Sequence, residues 1–258
     1  MSLNGKTAII TGGGRGIGAS AAHMLATAGA EVLVTARTED EVRVVAESIG
    51  SQGGTAHWAL CDVSEESSVQ GLAQSAADAL GRVDILVNNA GVGHSALLVR
   101  ETLEDWNRTL AVNATGSFLC ARAFLPGMME AGWGRIVNVA SVAGRTGSRY
   151  TSAYSASKHA VLGMTRSAAA EMAGTGVTVN AVCPGYVNTP MTDATIAQVM
   201  ARSGMTHEAA RDAMLATLSQ KRLVEPEEVG ETILHLCSEG AGSMNGQAVV
   251  IDGGALLA

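Results

Sequence analysis

Proline, cysteine and lysine are all scarce in this sequence. Only 4 prolines stand among 258 residues, against 31 glycines and a composition 47% hydrophobic and 16% charged. That balance excludes a disordered chain and suits a compact α/β protein with many tight turns. The four cysteines (Cys61, Cys120, Cys183, Cys237) are far apart, and none forms a C-x-x-C pair. Apolar neighbours make them candidates for buried thiols rather than metal ligands or disulfides, and no metal site is expected. Positive charge is also limited. A formal net charge of −7 gives no general attraction to nucleic acid or to an anionic membrane, so neither is expected as a partner. No apolar run reaches the roughly 18–20 residues needed to span a bilayer. Met1-Ser-Leu-Asn-Gly-Lys6 leads straight into an apolar stretch without the look of a signal peptide, and a cytoplasmic protein is expected.

What is present is a regular alternation of short apolar runs and helical stretches. Lys6–Thr11 reads as a strand, ends in Gly12-Gly-Gly-Arg-Gly-Ile-Gly18, and is followed by helix-forming sequence from Ala19 to Ala28. Strand, glycine turn and helix in that order allow backbone N–H groups to approach a pyrophosphate at a helix N-terminus. Glu31–Ala36 predicts a second strand, followed by Arg37 and a polar helix over about 38–51. An acidic side chain at this strand end would bond a free ribose, whereas a basic one suits a 2′-phosphate. The chain has Ala36 and Arg37 there, with Arg15 in the preceding turn, which favours NADP(H) over NAD(H). Strands are further predicted over 55–60, 83–87, 135–140, 177–182 and 247–252. Asp62, past the third strand, is a candidate either for an adenine amino group or for the cap of a helix starting near Ser64. Asn88-Asn-Ala-Gly91 ends the fourth strand. Buried asparagines there must bond backbone or ligand.

A long helical stretch over 102–129 is interrupted near Asn113, a local misfit that suggests a functional kink. Ser141 stands just past the fifth strand. In the helix that follows, Tyr154 and Lys158 lie four residues apart and so on one face. A tyrosine, with an ordinary pKa of roughly 10, becomes a useful acid or base at neutral pH when a cation beside it favours the phenolate. Among three tyrosines and three lysines this is the one pair with that spacing. From Met191 to about Leu223 the strand rhythm stops, and two helical pieces (about 193–202 and 206–218) meet at Ser203-Gly204. An insertion beside a site is where a lid would sit. A last helix, Pro226–Cys237, precedes the final strand. Together these elements predict one doubly wound, mostly parallel sheet in a single domain spanning 1–258, with the lid at about 191–223.

Taken in order, Thr11-Gly12-x-x-x-Gly16-Ile17-Gly18, Asn88-Asn-Ala-Gly91, Asn113, Ser141, Tyr154-x-x-x-Lys158 and Pro184-Gly185 resemble the short-chain dehydrogenase/reductase family over nearly the whole chain. The resemblance implies a Rossmann-like fold, a nicotinamide cofactor and a homo-oligomer, usually a tetramer. It makes Tyr154 the proton donor in reduction and Lys158 the residue that binds the nicotinamide ribose and lowers the Tyr154 pKa. Ser141 would hold the substrate carbonyl, and Asn113 would anchor a water and Lys158 in a proton relay. Cofactor contacts would come from Gly12, Gly14, Arg15, Gly16, Ile17, Gly18, Arg37, Asp62, Val63, Asn89, Ala90, Gly91, Pro184, Gly185 and Val187. Thr189 would hold the carboxamide and select the nicotinamide face.

Within the family the chain is most similar to reductases of 3-oxoacyl thioesters and of aromatic polyketides. Val139–Gly144, Tyr154–Ala160, Val177–Gly185 and Thr35-Ala-Arg37 carry that likeness. Glu130-Ala131 and Thr175 lack the basic residues with which fatty-acid reductases dock their carrier protein. Gly93, Ala143 and Thr151 stand where 3-hydroxybutyrate dehydrogenases present polar groups to a small carboxylate. His94, Val142, Arg145, Thr146, Tyr150, Tyr186 and the lid remain to form a pocket suited to a bulky or cyclic ketone or an acyl thioester, with His94 and Arg145 expected as solvated loop residues. The expected activity is NADPH-dependent reduction of such a ketone. The runner-up is NAD(P)-dependent oxidation of a secondary or cyclic alcohol, or of a hydroxyacyl thioester of coenzyme A. A nucleotide sensor or a purely structural subunit would need no Asn113, Ser141, Tyr154 and Lys158 together.

Overall fold

A computed structural model of the protein describes residues 1–257. Seven parallel strands form one sheet in the order β3-β2-β1-β4-β5-β6-β7. They are β1 (Thr7–Thr11), β2 (Glu31–Ala36), β3 (Ala56–Leu60), β4 (Ile85–Asn88), β5 (Gly134–Val139), β6 (Val177–Pro184) and β7 (Ala248–Ile251). The side of the sheet on which successive strands are added switches between β1 and β4. Outside the carboxyl ends of those two strands the crossovers diverge, and a crevice opens.

Successive side chains of the strands feed two cores. Ala8, Ile10, Val32, Val34, Ile85, Val87 and Val137 face α1 (Gly16–Thr27), α2 (Glu39–Ser51) and α9 (Pro226–Cys237). Ile9, Leu33, Leu86, Ile136 and Val179 face the opposite layer, built on α3 (Glu66–Leu80), α5 (Gly116–Ala131) and α6 (Ser152–Glu171). Burial on both faces explains why the strands read as unbroken apolar runs rather than as alternating patterns. All four cysteines are free and buried, and burial pushes the Cys120 and Cys237 thiols up to about 12.

Three boundaries differ from the sequence expectation for identifiable reasons. Helix α1 starts at Gly16 rather than Ala19, because Arg15 occupies the N-cap and the last two motif glycines form the first helical turn. Strand β4 starts at Ile85 because Asp84 is occupied by capping the neighbouring strand. Its buried carboxylate accepts from Thr7 N at 3.1 Å. The long helical stretch divides into α4 (Leu103–Leu110) and α5, joined by one π-helical turn, Ala111–Thr115. Asn113 lies in that turn. The insertion between β6 and α9 folds as α7 (Pro190–Ser203) and α8 (His207–Ala216).

Candidate active site

The glycine turn is held from below. Thr11 Oγ1 accepts from Asn89 N at 3.0 Å and Ala90 N at 3.1 Å, while Asn89 Nδ2 donates to the carbonyls of Thr11 (3.0 Å) and Gly12 (2.9 Å). Asn89 therefore bonds backbone, one of the two uses expected for it. Gly12 has φ +61° and lies so close to this strand end that a Cβ would stand 2.8 Å from Ala90 Cα. A side chain there is excluded both by conformation and by space. Thr11, the first residue of the glycine motif, thus ties the turn to the end of β4, a role that the motif itself does not specify.

The crevice above the turn is lined by Gly12, Gly14, Arg15, Gly16, Ile17, Arg37, Asp62, Val63, Asn89, Ala90, Gly91 and Thr189, all expected there. It is also lined by Thr38, Glu41, Val92, Val112 and Met191, which no sequence motif marks. Gly18 belongs elsewhere: it is buried, and a Cβ on it would collide with Asn89 Nδ2 and Gly12 O. Its lack of a side chain lets the start of α1 pack against the glycine turn and Asn89. Pro184, Gly185 and Val187 are not among the crevice lining. Gly185 N donates to Ile251 O at 2.9 Å, and Val187 is buried against Val224 through an isolated bridge. Thr189, the N-cap of α7, brings its methyl to the glycine turn, where a Cβ on Gly16 would stand 3.0 Å from it.

Asp62 chooses neither of its two expected roles outright. Its Oδ1 accepts from Ser64 N at 3.0 Å and Ser64 Oγ at 2.6 Å, fixing the turn before α3, whose N-cap is Glu65. Its Oδ2 lies 3.8 Å from Arg37 Nη1. Burial acts on its carboxyl first, but the Ser64 bonds and Arg37 outweigh it and hold the carboxyl below its ordinary value.

Beside Gly91 the crevice meets a polar cluster. A Cβ on Gly91 would lie 3.3 Å from Asn113 Oδ1 and 3.6 Å from Lys158 Nζ. The Asn113 carboxamide makes three bonds: Oδ1 accepts from Val92 N at 2.8 Å, and Nδ2 donates to Val92 O and Ser157 Oγ, each at 3.0 Å. It makes no direct hydrogen bond to Lys158. The π turn sets this register, because one extra residue per turn rotates Asn113 onto the β4 loop. Lys158 Nζ instead donates to Val139 O at 2.8 Å and sits 5.7 Å from the centre of the Tyr154 ring. Burial pulls the Lys158 ammonium down to about 8. Burial likewise pushes the Tyr154 phenol above its ordinary value, with the neighbouring Ser141 hydroxyl opposing and Tyr186 adding to the rise. The lowered Tyr154 pKa expected from Lys158 is thus not a property of the protein by itself. Ser141 Oγ accepts from Ala143 N at 3.1 Å and donates at 3.5 Å to Pro184 O. So long a bond leaves its proton available to a better acceptor.

Arg145 is exposed, as expected, and His94 is half-buried rather than solvated. His94 Nε2 lies 3.2 Å from the almost buried Glu101 carboxylate, and Arg145 Nη1 donates to Ala248 O at 3.0 Å, toward β7. Arg202, in the last turn of α7, donates to Ser95 O at 2.7 Å and lies 5.7 Å from the Tyr150 ring. Tyr150 has φ +68°, an uncommon conformation for a tyrosine. A separate groove of about 480 Å³ between α3 and α5 is lined by residues such as Ala73, Ala77, Phe124 and Gly127, and shares none of these groups. Among the described residues no group of three or more His, Cys, Asp or Glu side chains is placed to hold a metal ion, and no helix is long and apolar enough to cross a membrane.

Sheet order, switch-point crevice and glycine turn define a Rossmann-like α/β protein. The model of the short chain dehydrogenase family matches residues 6–199, and the chain belongs to that family. It is 38% identical over 252 residues to the D-beta-hydroxybutyrate dehydrogenase of Rhizobium meliloti strain 1021, covering 96% of this chain and 98% of that one. It is 37% identical to the 3-oxoacyl-acyl-carrier-protein reductase of Vibrio cholerae serotype O1, covering 98% of each. The crystal structure of a single-substitution variant of actinorhodin polyketide ketoreductase with NADPH superposes with a TM-score of 0.95 at 36% identity, covering 99% of both chains. The protein is accordingly an oxidoreductase acting on CH–OH and C=O groups.

Proposed function

We propose that the protein is an NADPH-dependent ketoreductase that reduces a bulky or cyclic ketone, or a 3-oxoacyl thioester, to a secondary alcohol. The observation that carries this reading is the cluster of Ser141, Tyr154 and Lys158, with Lys158 beside Gly91, which lines a crevice that also holds Arg15 and Arg37. The residues fit a dinucleotide. The glycine turn is a cradle that a Cβ on Gly12 would obstruct, and its backbone opens onto the N-terminus of α1, which favours pyrophosphate. Gly12, Gly14, Gly16 and Ile17 would hold the pyrophosphate, Asp62 and Val63 the adenine, Asn89 to Gly91 the central riboses, and Thr189 the carboxamide.

When bound, the nicotinamide supplies the hydride. Tyr154 donates the proton to the carbonyl oxygen as negative charge develops there, and Ser141 turns its weakly held hydroxyl proton to the same oxygen. Lys158 keeps donors beyond its bond to Val139 O for the ribose and the phenol oxygen, and its positive charge favours the phenolate. Asn113 acts through position, clamping the Val92 loop and Ser157. Arg37, with Arg15, is the reason to favour NADPH, and the ketoreductase bound to NADPH supports this. Helices α7 and α8 serve as the substrate lid, the whole forms a single domain, and a cytoplasmic homotetramer is its working state.

The test is NADPH against NADH oxidation with trans-1-decalone, an acetoacetyl thioester, acetoacetate and cyclohexanone. Fast NADPH-dependent reduction of the bicyclic ketone or the thioester is expected. Turnover mainly with NADH and simple alcohols would replace this reading with a catabolic alcohol dehydrogenase.

A further inference from the structure

Both arginines at the adenosine end of the crevice already have carboxylate partners. Arg15 Nη1 lies 3.3 Å from Glu41 Oε1, and Arg37 Nη1 lies 3.8 Å from Asp62 Oδ2. Two positive and two negative groups leave this corner with no formal charge. A 2′-phosphate reaching it therefore meets like charges as well as opposite ones.

The two carboxylates are not equivalent. Asp62 is anchored by two bonds from Ser64. Glu41, in the first turn of α2, is tied to Arg15 by one bond, and its Cβ is packed against the glycine turn, where a Cβ on Gly14 would stand 2.7 Å from it. That packing keeps the carboxylate at the crevice wall, which Glu41 lines together with Arg15, Arg37 and Thr38. Neighbouring Asp40 is engaged elsewhere, accepting from Arg43 at 2.8 Å.

We propose that Glu41 is a specificity residue of the dinucleotide site, its carboxylate competing with the cofactor's 2′-phosphate for Arg15 and so limiting the preference for NADPH over NADH. The inference rests on the reading of Arg15 and Arg37 as the 2′-phosphate site. Bound phosphate must draw Arg15 away from Glu41 or share it, whereas a free ribose disturbs neither group.

Calorimetry with the whole protein separates the terms, using 2′,5′-ADP and 5′-AMP as probes. Glu41→Gln and Glu41→Ala should each tighten 2′,5′-ADP about fivefold at low ionic strength and leave 5′-AMP unchanged, the size expected when one half-exposed ion pair and one repulsion are removed. Added salt should shrink the difference. A wild type that prefers 2′,5′-ADP, with variants that do not increase that preference, overturns the role of Glu41 alone. If neither the wild type nor the variants prefer 2′,5′-ADP, the NADPH reading itself has failed.

Discussion

The Lys158 ammonium is 4% exposed and donates to Val139 O. Its pKa of about 8 against an ordinary 10.5 means that folding holds a charge in a place that disfavours it. Between those values the unfolded chain keeps a proton that the folded chain has released, so this group's contribution to stability rises with pH. The burden is full below pH 8 and gone above 10.5. Lys158→Met without cofactor should therefore gain stability over the wild type near pH 7, by at most about 3 kcal/mol. That margin should narrow through pH 8–10.5. Chemical denaturation across pH checks it, and a margin independent of pH would refute the assignment. Tyr154→Phe keeps the ring and loses the proton, so turnover should fall about 10²–10⁴-fold with cofactor affinity unchanged. In the wild type, reduction should decline and alcohol oxidation increase as pH rises, because one needs the phenol and the other the phenolate. Near-normal turnover of the phenylalanine variant would remove Tyr154 from the mechanism.

At the scale of elements, most of the helices and strands were legible in the sequence, since buried parallel strands appear as apolar runs and the helices between them as longer periodic segments. The π turn was legible only as a misfit at Asn113. Its register depends on Val92 and Ser157, 21 and 44 residues away, which no local pattern reports. The same holds for Glu41, which has an ordinary local sequence and acquires its place from the glycine turn that packs against it. The contact between Arg202 of α7 and Ser95 joins the insertion to the loop after β4. Arg202→Ala should raise KM for the ketone about three- to tenfold while leaving cofactor affinity alone, if α7 closes over substrate. Steady-state kinetics with direct cofactor titration would decide it, and an unchanged KM would show that the helix is no lid.

For the whole molecule, the reversal of strand order between β1 and β4 brings residues as distant in sequence as Arg15 and Thr189 to one crevice. The isolated chain also leaves large apolar side chains exposed, among them Leu98, Val99, Leu103 and Phe118. Exposure of this kind suits burial against further copies. Light scattering after gel filtration should give four times the chain mass, and a monomer at micromolar concentration would contradict the tetramer. The sequence by itself determined the element order, the glycine turn and the Tyr154–Lys158 pair, because each depends on residues close along the chain. Tertiary structure alone decided that the Asn113 carboxamide bonds Val92 and Ser157, that Gly18 packs tightly against Asn89, and that Arg15 and Arg37 face carboxylates. Those outcomes depend on which distant groups compete for the same donors and the same space, and only the folded chain brings the competitors together.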